Sequence, residues 1–174
     1  MTAPTAPPTG SPALSAERAD LLETLAAHRG FLRFTVRGLT DEQAARRTTA
    51  SELTLATLVK HVAVTERSWA DFAVRGTAAL EQSPEDWGAD WVLQPGETLA
   101  SVLALYDEVA ARTDELVRSL DLDTAHPLPE APWFPPGAVR SVRRVFLHVV
   151  AETAQHAGHA DILRESLDGQ RTMG

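Results

Sequence analysis

The segment HVVAETAQHAGH, residues 148–159, concentrates side chains that can bind a metal ion or transfer a proton. It contains three of the chain's six histidines, His148, His156 and His159, and the carboxylate of Glu152. On a helix, Glu152 and His156 would lie one turn apart on the same face. Such a pair can chelate a divalent cation if a facing helix supplies further ligands. A simple hydrogen bond between Glu152 and His156 is the alternative that this spacing leaves open.

A helical wheel divides these four side chains into two groups. At about 100° per residue, Glu152 and His156 fall within the apolar face of the segment, whereas His148 and His159 fall at its edge. The apolar face contains Val142, Val145, Val149, Ala160 and Leu163. A buried carboxylate is strongly destabilising unless it is paired, hydrogen-bonded or bound to a cation. We therefore expect Glu152 and His156 to point inward and to share a partner on another helix.

Histidines elsewhere in the chain are candidates for the third ligand. His61 lies at the edge of the apolar face of a second helical segment, and His28 continues a line of leucines on the first one. His126 lies in a proline-rich segment and has no such support. A histidine on an apolar face can also be a hydrogen-bonded core residue, and that alternative stays open for each of them. The pattern favours His61, with His28 and His148 behind it.

Four long amphipathic helices are predicted to hold these side chains. Thr40 is expected to cap a short helical piece after the first of them. The connections after the second and third helices are long, and residues 121–137 contain five prolines. Neither a helix nor a central strand is expected there. Apolar residues recur with helical spacing in residues 15–38, 54–75, 99–120 and 139–167.

These patterns predict an all-α protein, an antiparallel four-helix bundle with long loops after helices two and three. We expect residues 1–14 to form a flexible N-terminal tail, residues 15–169 to form the bundle, and residues 170–174 to form a C-terminal tail. The chain has 174 residues, of which 44% are hydrophobic and 23% are charged. These values suit one domain with a single core.

Charge and composition exclude several classes of partner. The formal net charge of −8 repels phosphate backbones and anionic lipids, so neither nucleic acid nor a membrane is an expected partner. The absence of cysteine excludes thiolate ligands and a cysteine nucleophile, so any metal must be held by His, Asp or Glu. No apolar run approaches the roughly 20 residues that span a bilayer, and MTAPTAPPTGSP lacks the features of a signal peptide. A cytoplasmic location is expected.

Two segments of the sequence resemble a known family. VRRVFLHVVAETAQHAGHADILRESLDG, residues 142–169, resembles the last helix of the DinB-like superfamily, and of its actinobacterial branch in particular. LTLATLVKHVAVTERSW, residues 53–69, resembles the second helix of that branch. The resemblance spans residues 16–169. It implies a four-helix bundle with a divalent metal that is bound by one histidine of the second helix and by two ligands four residues apart on the fourth.

Carried over to this sequence, the resemblance implies that His61, Glu152 and His156 are the metal ligands. Zinc is the expected ion, with nickel, iron or manganese as alternatives. Many relatives have histidine where this chain has Glu152, whereas the mycothiol-dependent maleylpyruvate isomerases are similar in having a Glu-x-x-x-His motif. His159 stands where many relatives have glutamine, so no role for it follows from the resemblance.

The resemblance further implies a divalent-metal-dependent enzyme acting on a small molecule, a thiol S-transferase or isomerase in which the metal activates the thiol. Two histidines and a glutamate leave open coordination positions, where a thiol could bind, lose its proton and attack an electrophile. Lys60 is the only lysine among 16 basic residues, a bias typical of GC-rich actinobacterial genomes, and this favours mycothiol as the cosubstrate. A hydrolase that uses metal-bound water, and a non-catalytic, stress-associated metal-binding dimer, remain alternatives. Because relatives are commonly dimers, a homodimer is expected.

Other side chains receive supporting roles in this hypothesis. His159, His148 or His28 could carry protons, because the pKa of histidine suits that task. Arg143 and Arg164 could hold an anionic substrate or a carboxylate of the thiol, although a solvated position on the helix surface is the alternative for each. The tryptophans of the two long loops would wall the pocket and exclude water.

Overall fold

The computed structural model describes residues 14–81 and 88–172. Most of the predicted N-terminal tail, the last two residues of the predicted C-terminal tail and Trp87 lie outside these ranges. The described chain contains four long α-helices and one short one. They are α1 (Ala16–Thr35), α2 (Asp41–Ala44), α3 (Leu55–Arg75), α4 (Leu99–Ser119) and α5 (Val142–Asp168). The predicted all-α bundle and its four long helices are confirmed, since the predicted helices one to four correspond to α1, α3, α4 and α5.

Local hydrogen bonds explain where these helices begin and end. Ser15 caps α1, and Thr40 forms a capping box at the start of α2. Thr54 forms another at the start of α3, so these three ends match the sequence pattern. Gly169 ends α5 with a φ of 81°, in the left-handed region that favours glycine. Helix α1 ends at Thr35 instead of near residue 38, because the next turn tightens into bonds that span three residues.

Ion pairs and hydrogen bonds at the helix ends establish that α1 and α5 run in the same direction. At their N-terminal ends, Arg143 of α5 pairs with Glu17 of α1. At their C-terminal ends, Arg164 of α5 donates to the carbonyl oxygen of Thr35 at 2.9 Å. The two helices are therefore held at both ends by arginines of α5.

Helices α3 and α4 run in the opposite direction. The His61 ring near the start of α3 lies 4.8 Å from the His156 ring late in α5, and Trp69, further along α3, lies 4.7 Å from His148, earlier in α5. The end of α4 meets the start of α1, where Arg18 donates to the carbonyl oxygen of Leu120 at 2.8 Å. The bundle thus consists of two parallel pairs, α1 with α5 and α3 with α4, and the two pairs run antiparallel to each other. The long connection between α3 and α4 returns the chain to the end of the bundle where α3 began.

A polar layer separates two apolar clusters in the core. One cluster lies around Leu32, Leu58 and Val102, and the other lies around Leu25 and Phe72. Between them, Arg29 of α1 and Glu66 of α3 are 5% and 1% exposed and form an ion pair of 2.5 Å. Arg29 also pairs with Asp114 of α4 at 2.7 Å. The sequence pattern did not predict this charged layer.

The connection before α5 contains a short ribbon. Strand β1 (Ala125–Pro127) pairs antiparallel with β2 (Val139–Ser141), and His126 lies opposite Arg140. Helix α5 therefore begins at Val142, three residues later than predicted. A ribbon of two strands has only edges, so it tolerates Pro127, which a central strand would not.

Among the described helices, none is sufficiently long and apolar to cross a bilayer.

Candidate metal centre

Three potential metal ligands from two helices converge between α3 and α5. His61 comes from α3, and Glu152 and His156 come from consecutive turns of α5. One ligand atom from each lies within 4.8 Å of the others. Donor atoms around tetrahedral zinc with bonds of about 2.1 Å lie about 3.4 Å apart. Side-chain rotations that move the ligand atoms by about an ångström would therefore let all three bind one ion. Two imidazoles and one carboxylate are a donor set that suits zinc and similar divalent ions.

Burial within the cluster differs from the helical wheel in one respect. His156 is 9% exposed, as the wheel predicts, whereas the Glu152 side chain is 28% exposed. The fully buried position beside it belongs to Thr153, whose hydroxyl donates to the carbonyl oxygen of Val149 at 2.8 Å. Glu152 therefore lies at the boundary between core and solvent, where its carboxylate is accessible to a ligand.

Electrostatics favour the protonation states that metal binding requires. Burial lowers the pKa of His61, and the neighbouring Asp90 partly offsets this effect. The His156 imidazole, whose Nε2 atom lies 3.6 Å from Oε2 of Glu152, lowers the pKa of Glu152 against the effect of burial. At neutral pH the site thus offers a neutral imidazole at His61 and an ionised carboxylate at Glu152, which are the forms that coordinate a cation.

A loop residue that the sequence did not single out holds His61 in place. The Nδ1 atom of His61 lies 2.5 Å from Oδ2 of Asp90. The Trp91 ring stacks on the His61 ring, with centroids 3.7 Å apart and planes 17° apart. A carboxylate that accepts a hydrogen bond from Nδ1–H favours the tautomer in which Nε2 is unprotonated, and it fixes the ring plane. The only sequence signal for Asp90 is its place beside a tryptophan in a long loop, and that signal does not indicate a partner.

The buried Lys60 anchors this loop. Its Nζ donates to the carbonyl oxygen of Val92 and to Oε2 of Glu97, at 2.7 Å in each case. Glu97 also accepts a hydrogen bond from the backbone N–H of Gln94 at 2.7 Å. The loop that carries Asp90 is therefore attached to α3 through both Lys60 and His61.

Two further histidines flank the three ligands. The Nε2 atom of His148 lies 3.5 Å from Oε1 of Glu152, and its ring packs edge-on against Trp69. His159 lies on the other side, with its Nδ1 atom 3.4 Å from Nδ1 of His156. Both positions agree with the edge of the apolar face on which the wheel placed them.

Comparisons with known proteins bear on this geometry. The family model for mycothiol-S-transferase matches residues 20–169. The chain belongs to the mycothiol-S-transferase family. This confirms the resemblance to the DinB-like superfamily. A crystal structure of a conserved protein from Enterococcus faecalis is similar in fold, with a TM-score of 0.64 over 91% of this chain and 100% of that one, at 14% sequence identity. A search of curated proteins finds no match.

In this member of the mycothiol-S-transferase family, a large cavity lies next to residues that contact His61, and none of the three candidate ligands lines it directly. Its volume is about 1010 Å³, and its walls include Thr65, Trp69, Asp90 and Trp133. Asp90 and Thr65 also contact the His61 ring, so these two residues connect the cavity wall with one of the candidate ligands. Two of the three tryptophans that the structure describes therefore line the cavity, while Trp91 covers His61.

Three predicted site residues lie elsewhere in this family member. His28 is half-buried against Phe31 on α1 and is not part of the ligand cluster, because Arg29 takes the buried position at this level of the helix. Arg143 pairs with Glu17 and Asp123 at the surface. Arg164 joins the end of α5 to that of α1. Both arginines therefore connect parts of the fold, and neither lines the cavity.

Proposed function

We propose that the protein is a divalent-metal-dependent S-transferase that joins the thiol of mycothiol to an electrophilic small molecule. The observation that carries the proposal is the convergence of His61, Glu152 and His156 in a chain of the mycothiol-S-transferase family. A large cavity lies behind Asp90 and Thr65, which contact His61. The cavity volume of about 1010 Å³ is at the upper end of the range for small-molecule sites. It can accommodate a sugar-bearing thiol together with a small second substrate.

His61, Glu152 and His156 are the residues that would hold the ion. We expect zinc, with nickel, iron or manganese as alternatives. Three protein ligands are the pattern of catalytic zinc sites, which keep a position open, whereas structural sites use four. Such an ion lowers the pKa of a thiol bound to it. Asp90 would keep Nε2 of His61 available by accepting a hydrogen bond from Nδ1–H.

His148 is the residue that we propose accepts the thiol proton. It lies beside Glu152 and packs on Trp69, which lines the cavity. Once the proton is transferred, the thiolate attacks the electrophilic carbon. A C–S bond forms while the bond to the leaving group breaks, and the leaving group departs with that electron pair. The walls made by Trp69 and Trp133 would limit the access of water.

Metal content tests the ligand assignment. Protein purified without a histidine tag should contain about one equivalent of metal by elemental analysis, and His61→Ala and His156→Ala should contain far less. His126→Gln is the matched control, because His126 bonds to the carbonyl oxygen of Ala73 outside the cluster. Full metal content in His61→Ala would overturn the assignment.

Turnover tests the reaction. Incubation with mycothiol and a bimane electrophile should give the thiol adduct faster than the uncatalysed reaction, and chelation should abolish the acceleration. Ester or amide hydrolysis without any thiol adduct would favour the hydrolase. If chelation lowers only the melting temperature and no turnover is found, the metal is structural.

The predicted homodimer and cytoplasmic location remain predictions. Light scattering tests the oligomeric state.

A further inference from the structure

Arg140, the half-buried residue opposite His126 in the two-stranded ribbon, differs from the buried arginines in how it is held. Its guanidinium carbon lies 4.6 Å from the centre of the Trp69 ring and 5.5 Å from that of Phe134. Its Nη1 atom is buried and has no hydrogen-bond partner within residues 14–81 and 88–172. Arg29 and Arg164, in contrast, donate to carboxylate or carbonyl oxygens. Buried donors normally have a partner, so Arg140 is positioned by aromatic rings while the donors of its Nη1 atom have no partner among the described residues.

The two rings that hold Arg140 place it next to the cavity and the ligand cluster. Trp69 and Phe134 both line the cavity, and Trp69 also contacts His148. His148 in turn lies beside Glu152, with its Nε2 atom 3.5 Å from Oε1. Among the described residues, no carboxylate forms an ion pair with Arg140, and its buried Nη1 atom has no hydrogen-bond partner. A positive charge without an ion-pair partner therefore lies beside the candidate metal centre.

We propose that Arg140 binds a carboxylate of the electrophilic substrate, so that the substrate class is an anionic small molecule with its reactive carbon near the carboxylate. This inference rests on the proposed transferase function. A guanidinium offers paired donors that match a carboxylate, and a group already oriented by two rings loses little freedom when the ligand binds. Arg140 thereby takes the role that the sequence suggested for Arg143 and Arg164.

A binding experiment tests the site independently of turnover. Titration of the full chain, as purified, with 4-fluorobenzoate and 4-fluorobenzamide, followed by ¹⁹F NMR, compares an anion with a neutral molecule of similar shape. The benzoate should bind about tenfold more tightly, a difference typical of a charge-assisted hydrogen bond. Arg140→Gln should abolish the preference and Arg140→Lys should retain part of it. Arg67→Gln is the matched control, because Arg67 lines the cavity beside which Arg140 lies but is exposed to solvent.

Each departure from this result overturns the proposal. Equal binding of the two probes to the wild type would mean that no anion site exists. A preference that survives in Arg140→Gln would mean that the carboxylate binds elsewhere, at the metal for example. An equal loss in Arg67→Gln would indicate a diffuse field instead of a site. Circular dichroism of the variants establishes that each is folded.

A kinetic experiment connects the site to the reaction. Iodoacetate and iodoacetamide differ in the carboxylate, and the chain has no cysteine that either would alkylate. With mycothiol as the cosubstrate, Arg140→Gln should raise KM for iodoacetate about tenfold and leave KM for iodoacetamide unchanged. If the wild type turns over neither compound yet prefers fluorobenzoate, the anion site stands and the transferase function fails. If both compounds are turned over and Arg140→Gln affects them equally, the function stands and the role of Arg140 is refuted.

Discussion

The hydrogen bond between His61 and Asp90 leads to a prediction about metal affinity. The two atoms are 2.5 Å apart, and the side chains are 15% and 20% exposed. A carboxylate at Nδ1 fixes the tautomer and makes Nε2 a better ligand. Asp90→Asn keeps the size of the side chain and an acceptor oxygen but removes the negative charge. We therefore expect Asp90→Asn to bind the metal more weakly than the wild type, and Asp90→Ala to bind it more weakly still.

The expected size of the effect follows from the contact. A hydrogen bond to a charged group contributes about 1.5–3 kcal/mol, and each 1.4 kcal/mol corresponds to about a factor of ten in affinity. The limited exposure of both side chains means that water replaces the lost interaction poorly. Loss of the charge should therefore weaken metal binding by about 10- to 100-fold, the range that removal of a partner of a metal-bound histidine usually causes.

Competition between the protein and a chromophoric chelator for Zn²⁺ or Co²⁺ measures this affinity. Glu97→Gln is the matched control, because Glu97 helps to anchor the same loop through Lys60 and makes no contact with His61. It should bind metal with nearly wild-type affinity. Unchanged affinity in Asp90→Asn would refute the argument. An equal loss in Glu97→Gln would refute it too, since loop position and not the carboxylate would then control His61.

Three further predictions concern the core, the loop and the cover of the metal centre. Glu66→Ala should lower the free energy of unfolding by about 3–5 kcal/mol in urea titrations, because it leaves Arg29 buried without its closest partner. The hydrogen bond from Lys60 holds the pKa of Glu97 below its usual 4.5, so the pair stabilises the fold above pH 4.5, and this contribution is lost as the pH falls through the lower folded-state pKa. Glu97→Gln should therefore melt at a lower temperature than the wild type at pH 7 and at the same temperature in strong acid. Because Trp91 stacks on His61, bound Co²⁺ should quench tryptophan fluorescence, and Trp91→Phe should remove most of that quenching.

Each of these predictions has a control in the chain. Glu115→Gln removes an exposed ion pair with Arg118 and should change stability by less than about 1 kcal/mol, so a similar loss in both variants would contradict the argument about the core. A difference between wild type and Glu97→Gln that persists at low pH would mean that the carboxylate charge is not the cause. Trp133→Phe should leave the Co²⁺ quenching largely intact.

Local sequence patterns predicted most of the helices, because the interactions that define helix ends span only a few residues. Thr54 caps α3 through Thr57, three residues away, and Gly169 ends α5 by its own backbone freedom. The ribbon of β1 and β2 was missed for the opposite reason. Each strand has three residues, too few to show a periodic pattern, and 11 residues separate the two strands in the sequence.

The sequence by itself determined the pairing of Glu152 with His156, since a spacing of four residues on a helix is a local property. It also indicated His61 as their partner, through the edge of an apolar face that had to meet another helix. Only the tertiary structure decided that Asp90 holds His61, that Arg140 lies beside Trp69, and that Arg143 and Arg164 join helices instead of facing the cavity. These contacts depend on where loops and helix ends meet after the bundle has packed, and a side chain's type does not encode which distant partner will lie within hydrogen-bonding distance.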